Sequence, residues 1–137
     1  MTESNMTDLK EMTDLLYGEG EPMQGGTLTL EEAKEQGQAF AKYMPYCIVR
    51  DWIWADLDID DKIIKDLETR NIKPVMVYAH HVMYDSSRRF ESGNWVRTSP
   101  LIKFTPPCFF QTSNTVYILV GDGKRKTTSF EAIMSIF

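Results

Sequence analysis

The chain has little of the residues and patterns on which enzymes and metal proteins commonly depend. Its 137 residues include two histidines and two cysteines, and Cys47 and Cys108 stand far apart in apolar surroundings. Unclustered cysteines of this kind are usually reduced core residues in a cytosolic protein. There is no G-x-S-x-G elbow and no phosphate-binding loop, and Gly121-Asp122-Gly123 lacks the third glycine of a dinucleotide fingerprint. We therefore expect no disulfide, no metal, no cofactor and no motif-based catalytic site.

Long apolar stretches are also missing. No run approaches the ~20 residues that span a bilayer, and residues 1–5 are polar and acidic, the opposite of a signal peptide. We expect a cytoplasmic protein without membrane contact. A hydrophobic content of 42% and an aromatic content of 12% suit a globular domain that buries a core.

What the chain does have is a charge that divides by position. Residues 1–70 carry sixteen acidic and seven basic residues (−9), and residues 71–137 carry four acidic and eight basic (+4), which together make the net charge of −5. The electrostatic field of such a charge distribution steers the encounter of a protein with its partners and does not determine the fold. The split suggests a protein partner, or a homodimer in which the acidic half of one copy meets the basic half of another.

Hydrophobic spacing and turn residues predict an N-terminal arm and one domain. Residues 1–26 are predicted to form the arm, a short amphipathic helix over residues 7–17 followed by a glycine-rich linker. Residues 27–137 are predicted to form a single α+β domain.

Two helices are expected early in this domain. Thr29 and Glu32 make a capping box for the first, which Pro45 ends. Asp58 or Asp60 caps the second. Its inward side chains are predicted to be Ile63, Ile64 and Leu67.

The remainder of the chain is predicted to be mainly β. Alternating apolar residues over residues 46–55 place Tyr46, Ile48, Arg50, Trp52 and Trp54 on one face of a strand. Further strands are predicted over residues 75–84, 95–105, 109–112, 115–120 and 124–128, with a closing helical turn over 129–137. The last two strands are expected to form a hairpin across residues 121–123. The predicted fold is an antiparallel β meander of about five strands with two or three helices packed on one face.

The densest acidic cluster is Asp56, Asp58, Asp60 and Asp61. Its spacing resembles the start of a calcium loop, but Asp61 stands where the turn needs glycine and Leu67 where a bidentate Glu is required. The cluster is better explained as carboxylates at a helix N-terminus, or as a negative patch for a basic partner.

Cations alternate with aromatic residues in the second half. They are Arg88, Arg89, Arg97, Lys103, Lys124, Arg125 and Lys126, near Phe90, Trp95, Phe104, Phe109 and Tyr117. Such a surface can bind single-stranded nucleic acid by charge attraction and base stacking. The alternative is a sheet with an aromatic core and a solvated basic edge, and the pI near 5.0 favours it.

His80 and His81 are adjacent in a predicted strand. Neighbouring strand residues point to opposite faces, so the two rings do not readily share a metal. Either ring could serve as a general base, but without a matched nucleophile a structural role is favoured.

One segment resembles a known family. It runs Gly93-Asn94-Trp95-Val96-Arg97-Thr98-Ser99-Pro100-Leu101, and further along come Asn114-Thr115-Val116-Tyr117 and Gly121-x-Gly123-x-Arg125-Lys126. The pattern resembles a small uncharacterised domain family of proteobacteria and their phages. The resemblance brings no activity; it implies a small accessory protein of phage or prophage, a setting in which compact proteins block host defence complexes by binding them.

The sequence therefore predicts a non-enzymatic binding protein that masks a surface of its partner. Candidate binding residues are Trp95, Arg97, Arg88, Arg89, Lys124, Lys126, Asp56, Asp58, Asp60 and Asp61. Arg97 stands out because a cation in an apolar strand needs a partner or anchors an interface. Two alternatives stay open: a single-stranded nucleic-acid-binding module, and a small enzyme using His80 or His81.

Overall fold

A computed structural model describes residues 3–136; Met1, Thr2 and Phe137, the first two residues of the predicted arm and the end of the predicted closing turn, lie outside them. The elements in chain order are α1 (Glu3–Tyr17), β1 (Glu21–Gln24), α2 (Leu30–Phe40), β2 (Tyr46–Asp58), α3 (Asp61–Thr69), β3 (Val75–Asp85), β4 (Val96–Arg97), β5 (Lys103–Thr105), β6 (Phe109–Gln111), β7 (Val116–Leu119), β8 (Asp122–Ser129) and α4 (Phe130–Met134). The predicted α+β class is confirmed.

The eight strands form one curled mixed sheet around β2. β3 pairs antiparallel to β2 along one edge. Along the other edge β7 and β8 pair parallel to successive parts of β2, at residues 46–49 and 53–58. β4 extends the sheet beyond β3, β6 and β5 extend it beyond β7, and β1 extends it beyond β8. The sheet is thus larger than the predicted antiparallel meander and includes parallel pairs.

The glycine pair at residues 121–123 does not turn a hairpin, which corrects the prediction. β7 and β8 follow each other in the same direction beside β2, and the Val120 N–H donates to the Val49 carbonyl at their junction (2.9 Å). Gly121 adopts a φ of +73°, a conformation that glycine takes without strain. A Cβ on Gly123 would collide with the ring of Trp52. The two glycines therefore carry the chain from one half of β2 to the other.

β2 is irregular at the same level as this junction. Arg50 and Asp51 are exposed between two buried runs, and Asp51 has a φ of +53°. The opposite strand β3 carries a register shift where it pairs with Ile48 and Val49. Of the predicted face, Tyr46, Ile48, Trp52 and Trp54 are buried in one cluster, whereas Arg50 is exposed.

Two apolar clusters occupy opposite faces of the sheet, since they take alternating residues of β2 over 52–57 and of β3 over 75–79. One includes Trp52, Trp54 and Phe110 together with Ala33 of α2. The other joins Leu15 of α1 and Ile133 of α4 to Ile53, Ala55, Leu57, Met76, Tyr78 and Ile136. The expected arrangement of helices on one face is therefore wrong: α2 packs on one side, α1 and α4 on the other.

Local signals located the helix starts correctly. The Thr29 Oγ1 accepts from the Glu32 N–H (3.2 Å) and the Glu32 carboxylate accepts from the Thr29 N–H (2.9 Å), which completes the capping box. Asp60 caps α3 through the Ile63 N–H (3.0 Å). However, α3 has no fully buried residue. Ile63 is 48% exposed, so its predicted inward position is wrong, whereas Ile64 and Leu67 are half-buried.

The first 24 residues contribute two elements to the packed structure. Leu15 anchors α1 in the second cluster, and β1 lies antiparallel to β8, within the segment predicted to be a linker. The boundary between arm and domain near residue 26 stays a prediction. Among the described residues, no helix is both long and apolar enough to cross a membrane.

The predicted strand over residues 95–105 is divided into β4 and β5. Between them the chain still bonds to β3, through Thr98 and Leu101, whose N–H groups donate to the carbonyls of Val77 and Val75 (2.9 Å each). The irregular segment includes Pro100, which has no N–H for a ladder.

Candidate functional site

Arg97, the predicted binding anchor, bonds to a helix terminus of its own chain. Its Nη1 donates to the backbone carbonyls of Ile133 (3.3 Å), Met134 (3.1 Å) and Ile136 (2.7 Å). These groups end α4, where unsatisfied carbonyls and the helix dipole favour a cation. Arg97 thus finds partners in the carbonyls at and just beyond the end of α4.

Lys126 does the same for α1. Its Nζ donates to the carbonyls of Asp14 (2.8 Å), Leu15 (2.8 Å) and Gly18 (2.6 Å). Burial and the neighbouring charge of Lys124 lower the pKa of the Lys126 ammonium. Two predicted surface cations therefore hold two helices against one face of the sheet.

Arg89 belongs to a buried polar network around Asp85. The guanidinium donates to both carboxylate oxygens (3.1 and 2.9 Å) and to the Thr115 hydroxyl (2.8 Å). Asp85 is 4% exposed and also accepts the backbone N–H groups of Arg89 (2.7 Å) and Phe90 (3.2 Å). Burial opposes the charged form of Asp85, but these bonds and the Arg89 charge outweigh it, so the pKa of the carboxyl is lowered.

Two neighbours of this network are protonated at neutral pH. Burial, assisted by the nearby Asp85 charge, raises the pKa of the Cys47 thiol to about 12. Burial likewise raises the pKa of Tyr117 to about 12. Cys47 and Cys108 are free and fully buried, and burial raises the pKa of Cys108 too. Neither thiol has the exposure or the acidity of a reactive cysteine.

The four aspartates of the acidic cluster have separate local roles. Asp56 forms a two-point ion pair with Arg125 (2.7 and 3.1 Å), whose guanidinium lies 5.7 Å from the centre of the Trp54 ring. Asp60 caps α3 and Asp61 lies in its first turn. Asp58 is exposed and lines a cleft. Within residues 3–136 no three His, Cys, Asp or Glu side chains are placed to hold a metal ion.

An aromatic row crosses the face that carries α1. Trp95 stacks on Tyr78 (centroids 5.7 Å apart), Tyr78 meets His80 edge to face (4.9 Å), and His80 stacks with Tyr17 (5.8 Å). The His80 Nε2 lies 3.2 Å from the Leu16 carbonyl. Trp95 is 39% exposed and Tyr17 is 74% exposed, whereas Tyr78 is buried. The row therefore has a packed centre and two accessible ends.

His81 points away from this row and forms a pair with the irregular part of β2. Its Nδ1 lies 2.8 Å from the Asp51 carboxylate, with both side chains about half exposed. His81 also lines a shallow cleft of about 270 Å³, together with Arg50 and Ser92. The two histidines are thus separated, as strand alternation predicts, and only His81 has a carboxylate partner among the described residues.

A model of the family called "Domain of unknown function (DUF6957)" matches residues 24–135. The chain belongs to the DUF6957 family. Neither a search of curated proteins nor a search of solved structures gave a significant match. The DUF6957 match agrees with the resemblance to an uncharacterised domain family. It covers Tyr78, His80 and Trp95 and leaves α1, with Tyr17, outside.

The residues of the motif read from the sequence mostly serve the fold. Gly93 has a φ of +94°, the Thr98 hydroxyl accepts from the Val77 N–H (3.0 Å), and Leu101 is 1% exposed. Trp95 differs from these because it is a large apolar side chain that is 39% exposed. Sequence reasoning named Trp95 but missed Tyr17 and Tyr78, whose contacts with His80 join distant parts of the chain. Only the i, i+2 spacing of Tyr78 and His80 on one strand could have indicated part of the row.

Proposed function

We propose that this DUF6957 protein is a non-enzymatic binding protein that masks a surface of a protein complex, with the aromatic row as its contact site. The row consists of Tyr17, His80, Tyr78 and Trp95. The observation that carries the proposal is the exposure of its two ends around a packed centre. Trp and Tyr dominate the binding energy of protein interfaces because they present large, rigid, amphipathic surfaces.

The proposal is also supported by what the cations do. Arg89, Arg97, Arg125 and Lys126 contact carboxylates or helix carbonyls of their own chain. A groove that binds single strands needs free cations beside its stacking rings. Of the seven predicted cations, Arg88, Lys103 and Lys124 are exposed and make no such contact among the described residues. The nucleic-acid alternative therefore stays a prediction, supported by three cations where the sequence suggested seven.

The biological setting of the proposal comes from the motif resemblance. We infer a phage or prophage protein of proteobacteria that binds a host complex such as a defence system. The acidic surface fits this setting, since a net charge of −5 favours basic partners and suppresses binding to nucleic acid.

Affinity capture from a lysate of the native host, followed by mass spectrometry, tests the binding function. We expect a partner that wild type retains and that the Trp95→Ala variant loses by about tenfold or more, the scale of one hot-spot residue. Tyr43→Ala is the matched control because Tyr43 is 97% exposed and lies outside the row. Capture of nothing by wild type, or equal capture by wild type and Trp95→Ala, would contradict the proposal.

A second candidate function, acid–base catalysis, is favoured by the pair of His81 and Asp51. With its Nδ1 proton donated to Asp51, the His81 ring keeps Nε2 as an acceptor for a substrate proton. The positive φ of Asp51 is the kind of backbone strain that collects at functional sites. A panel of ester and phosphoester substrates, with wild type and His81→Gln compared, tests it; turnover that is absent, or equal in both, removes the candidate.

A further inference from the structure

The sheet ends at three strands, and two of them carry residues that discourage the addition of a further strand. The outermost strands are β1, β5 and β4. β1 includes Pro22, and β5 leads directly into Pro106 and Pro107. Proline has no N–H for a ladder and commonly guards the edge of a sheet. Residues 95–99, which include β4, contain no proline, so the margin at β4 lacks this protection.

Half of the backbone groups at the β4 margin point away from the sheet. The Thr98 N–H donates to the Val77 carbonyl (2.9 Å), and the Asn94 carbonyl accepts an N–H of β3 (2.7 Å). Because successive residues of an antiparallel ladder alternate between its two sides, the N–H and carbonyl groups of Trp95 and Arg97 point outward. Among the described residues β4 pairs with β3 alone, so these outward groups have no strand partner.

Apolar surface lies at both ends of this margin. A groove of about 290 Å³ runs beside residues 97–100 and is also lined by Met76, Phe130 and Met134. Phe130 and Met134 belong to α4 and are 40% and 41% exposed. At the other end, Trp95 of the aromatic row is 39% exposed. A strand added to β4 would therefore place alternate side chains on Trp95 and in the groove.

Arg97 is the one charged side chain among the residues that line the groove. Its Nη1 bonds to the carbonyls at the end of α4, whereas its Nε and Nη2 donate to no group of residues 3–136. Arg89 and Arg125 use this same pair of nitrogens to bind carboxylates elsewhere in the chain. The fork of a guanidinium fits a carboxylate. Charge complementarity therefore favours an acidic side chain opposite Arg97.

We propose that β4 is a docking edge for an extended strand of the partner protein, which places a carboxylate opposite Arg97 and aliphatic side chains two residues to either side. The inference rests on the proposed binding function and adds the chemistry of the partner segment. The incoming backbone bonds to the outward groups of Trp95 and Arg97. One aliphatic side chain packs on Trp95, and the other enters the groove beside Met134. The carboxylate is a single local contact, so the partner as a whole can still be basic.

The test uses the full chain, isotope-labelled for NMR, and a capped peptide of sequence Thr-Val-Thr-Glu-Thr-Val-Thr at up to about 2 mM, where weak strand binding is measurable. In the free protein the Val96 and Thr98 amides should exchange slowly with solvent, because they bond to β3. The outward Trp95 and Arg97 amides should exchange fast. With peptide, these two amides should shift and exchange about fivefold more slowly, the limit for a site about four-fifths occupied. Unchanged Trp95 and Arg97 amides at the highest peptide concentration would overturn the docking edge.

Altered peptides test the backbone contacts separately from the charge. N-methylation of every second residue removes the donors on one edge of the peptide and leaves its side chains in place. One of the two alternate sets should weaken binding by about tenfold or more, and the other should leave it unchanged. Equal binding by both methylated peptides would contradict strand addition.

The carboxylate contact has its own control on the protein. A peptide with Gln in place of Glu should bind about two- to fivefold more weakly, the scale of a partly exposed ion pair. Arg97→Lys keeps a cation at the end of α4 but has no fork, so the preference for Glu over Gln should shrink in this variant. Tyr43→Ala should keep the preference. A preference that is absent in wild type, or equal in wild type and Arg97→Lys, would overturn the contact with Arg97.

Failure of the docking edge is distinguishable from failure of the binding function. If Trp95→Ala lowers partner capture but the peptide does not bind, the row stays a binding site and the β4 edge does not. If the peptide behaves as expected but no protein is captured, the edge accepts strands while the masking function falls.

Discussion

At the scale of single residues, Asp85 is the one Asp, Glu, Lys or Arg side chain among residues 9–136 that is buried. A carboxylate in that position is stable only because Arg89 and two backbone N–H groups meet it. Removing one member of a buried ion pair leaves the other uncompensated, and that loss usually exceeds what the intact pair contributes. Arg89 retains some contact with solvent, which limits the loss here.

We predict that Asp85→Asn lowers the free energy of unfolding by about 2–3 kcal/mol at pH 7. The folded pKa of Asp85 lies below its unfolded value of about 3.9. The stabilisation is therefore present above that value and is lost as the pH falls through the folded pKa. Urea unfolding between pH 3 and pH 7 should show a difference between wild type and variant that is constant above about pH 5 and shrinks below about pH 4.

The matched control is Asp66→Asn, which removes a carboxylate from an exposed i, i+4 ion pair with Arg70. Exposed pairs of this kind contribute about 0.3–0.5 kcal/mol, so the control should lose much less. An Asp85→Asn loss no larger than that of Asp66→Asn would show that the buried network does not support the fold.

At the scale of elements, the sheet holds two helices by their carboxyl ends. Arg97 of β4 meets the last carbonyls of α4, and Lys126 of β8 meets those of α1. Neither helix carries a basic residue in its own last turn. Cations supplied by the sheet therefore replace the favourable interaction with the helix dipole that such residues usually provide.

We predict that Arg97→Met destabilises the protein by about 1–2 kcal/mol, because a charge-assisted cap is lost while the apolar stem is kept. Hydrogen exchange should locate the effect in α4, whose amides exchange faster in the variant. Lys103→Met provides the control, since Lys103 is exposed on β5 and its loss should stay within about 0.5 kcal/mol. Equal destabilisation by both variants would contradict a capping role for Arg97.

How far the sequence predicts these elements depends on the range of the interactions. Caps lie within three residues of their partners, so the sequence assigns Thr29 and Glu32 correctly and narrows the cap of α3 to Asp58 or Asp60, of which Asp60 is the cap. Gly121 and Gly123 carry the signal of a hairpin, but the choice between a turn and a parallel continuation depends on pairing with β2, which begins 75 residues earlier than Gly121. The candidate site was out of reach for the same reason, since Tyr17 and His80 meet across 63 positions.

At the scale of the whole molecule, the division of charge along the chain is partly resolved within the fold. Arg125 pairs with Asp56 across the two halves of the sequence, and Arg97 and Lys126 serve helix ends. Much of the basic excess of residues 71–137 is therefore occupied. Part of the acidic excess of residues 1–70 remains exposed, as in the cleft beside α1 that Glu11, Asp14, Glu19 and Asp58 line. The surface available to partners is therefore more acidic than the net charge of the chain suggests.

This distribution bears on the predicted homodimer. Two copies with acidic surfaces repel each other. The basic half of one copy also has few unengaged cations with which to contact the acidic half of another. We predict a single species of about 15.8 kDa at 50 mM and at 500 mM NaCl, measured by light scattering during size-exclusion chromatography. Arg97→Met should elute alike, because it removes a charge that is used inside the molecule. A dimer that forms at 50 mM and separates at 500 mM NaCl would show instead that enough basic surface remains for pairing between copies, since that range of salt screens exposed charges.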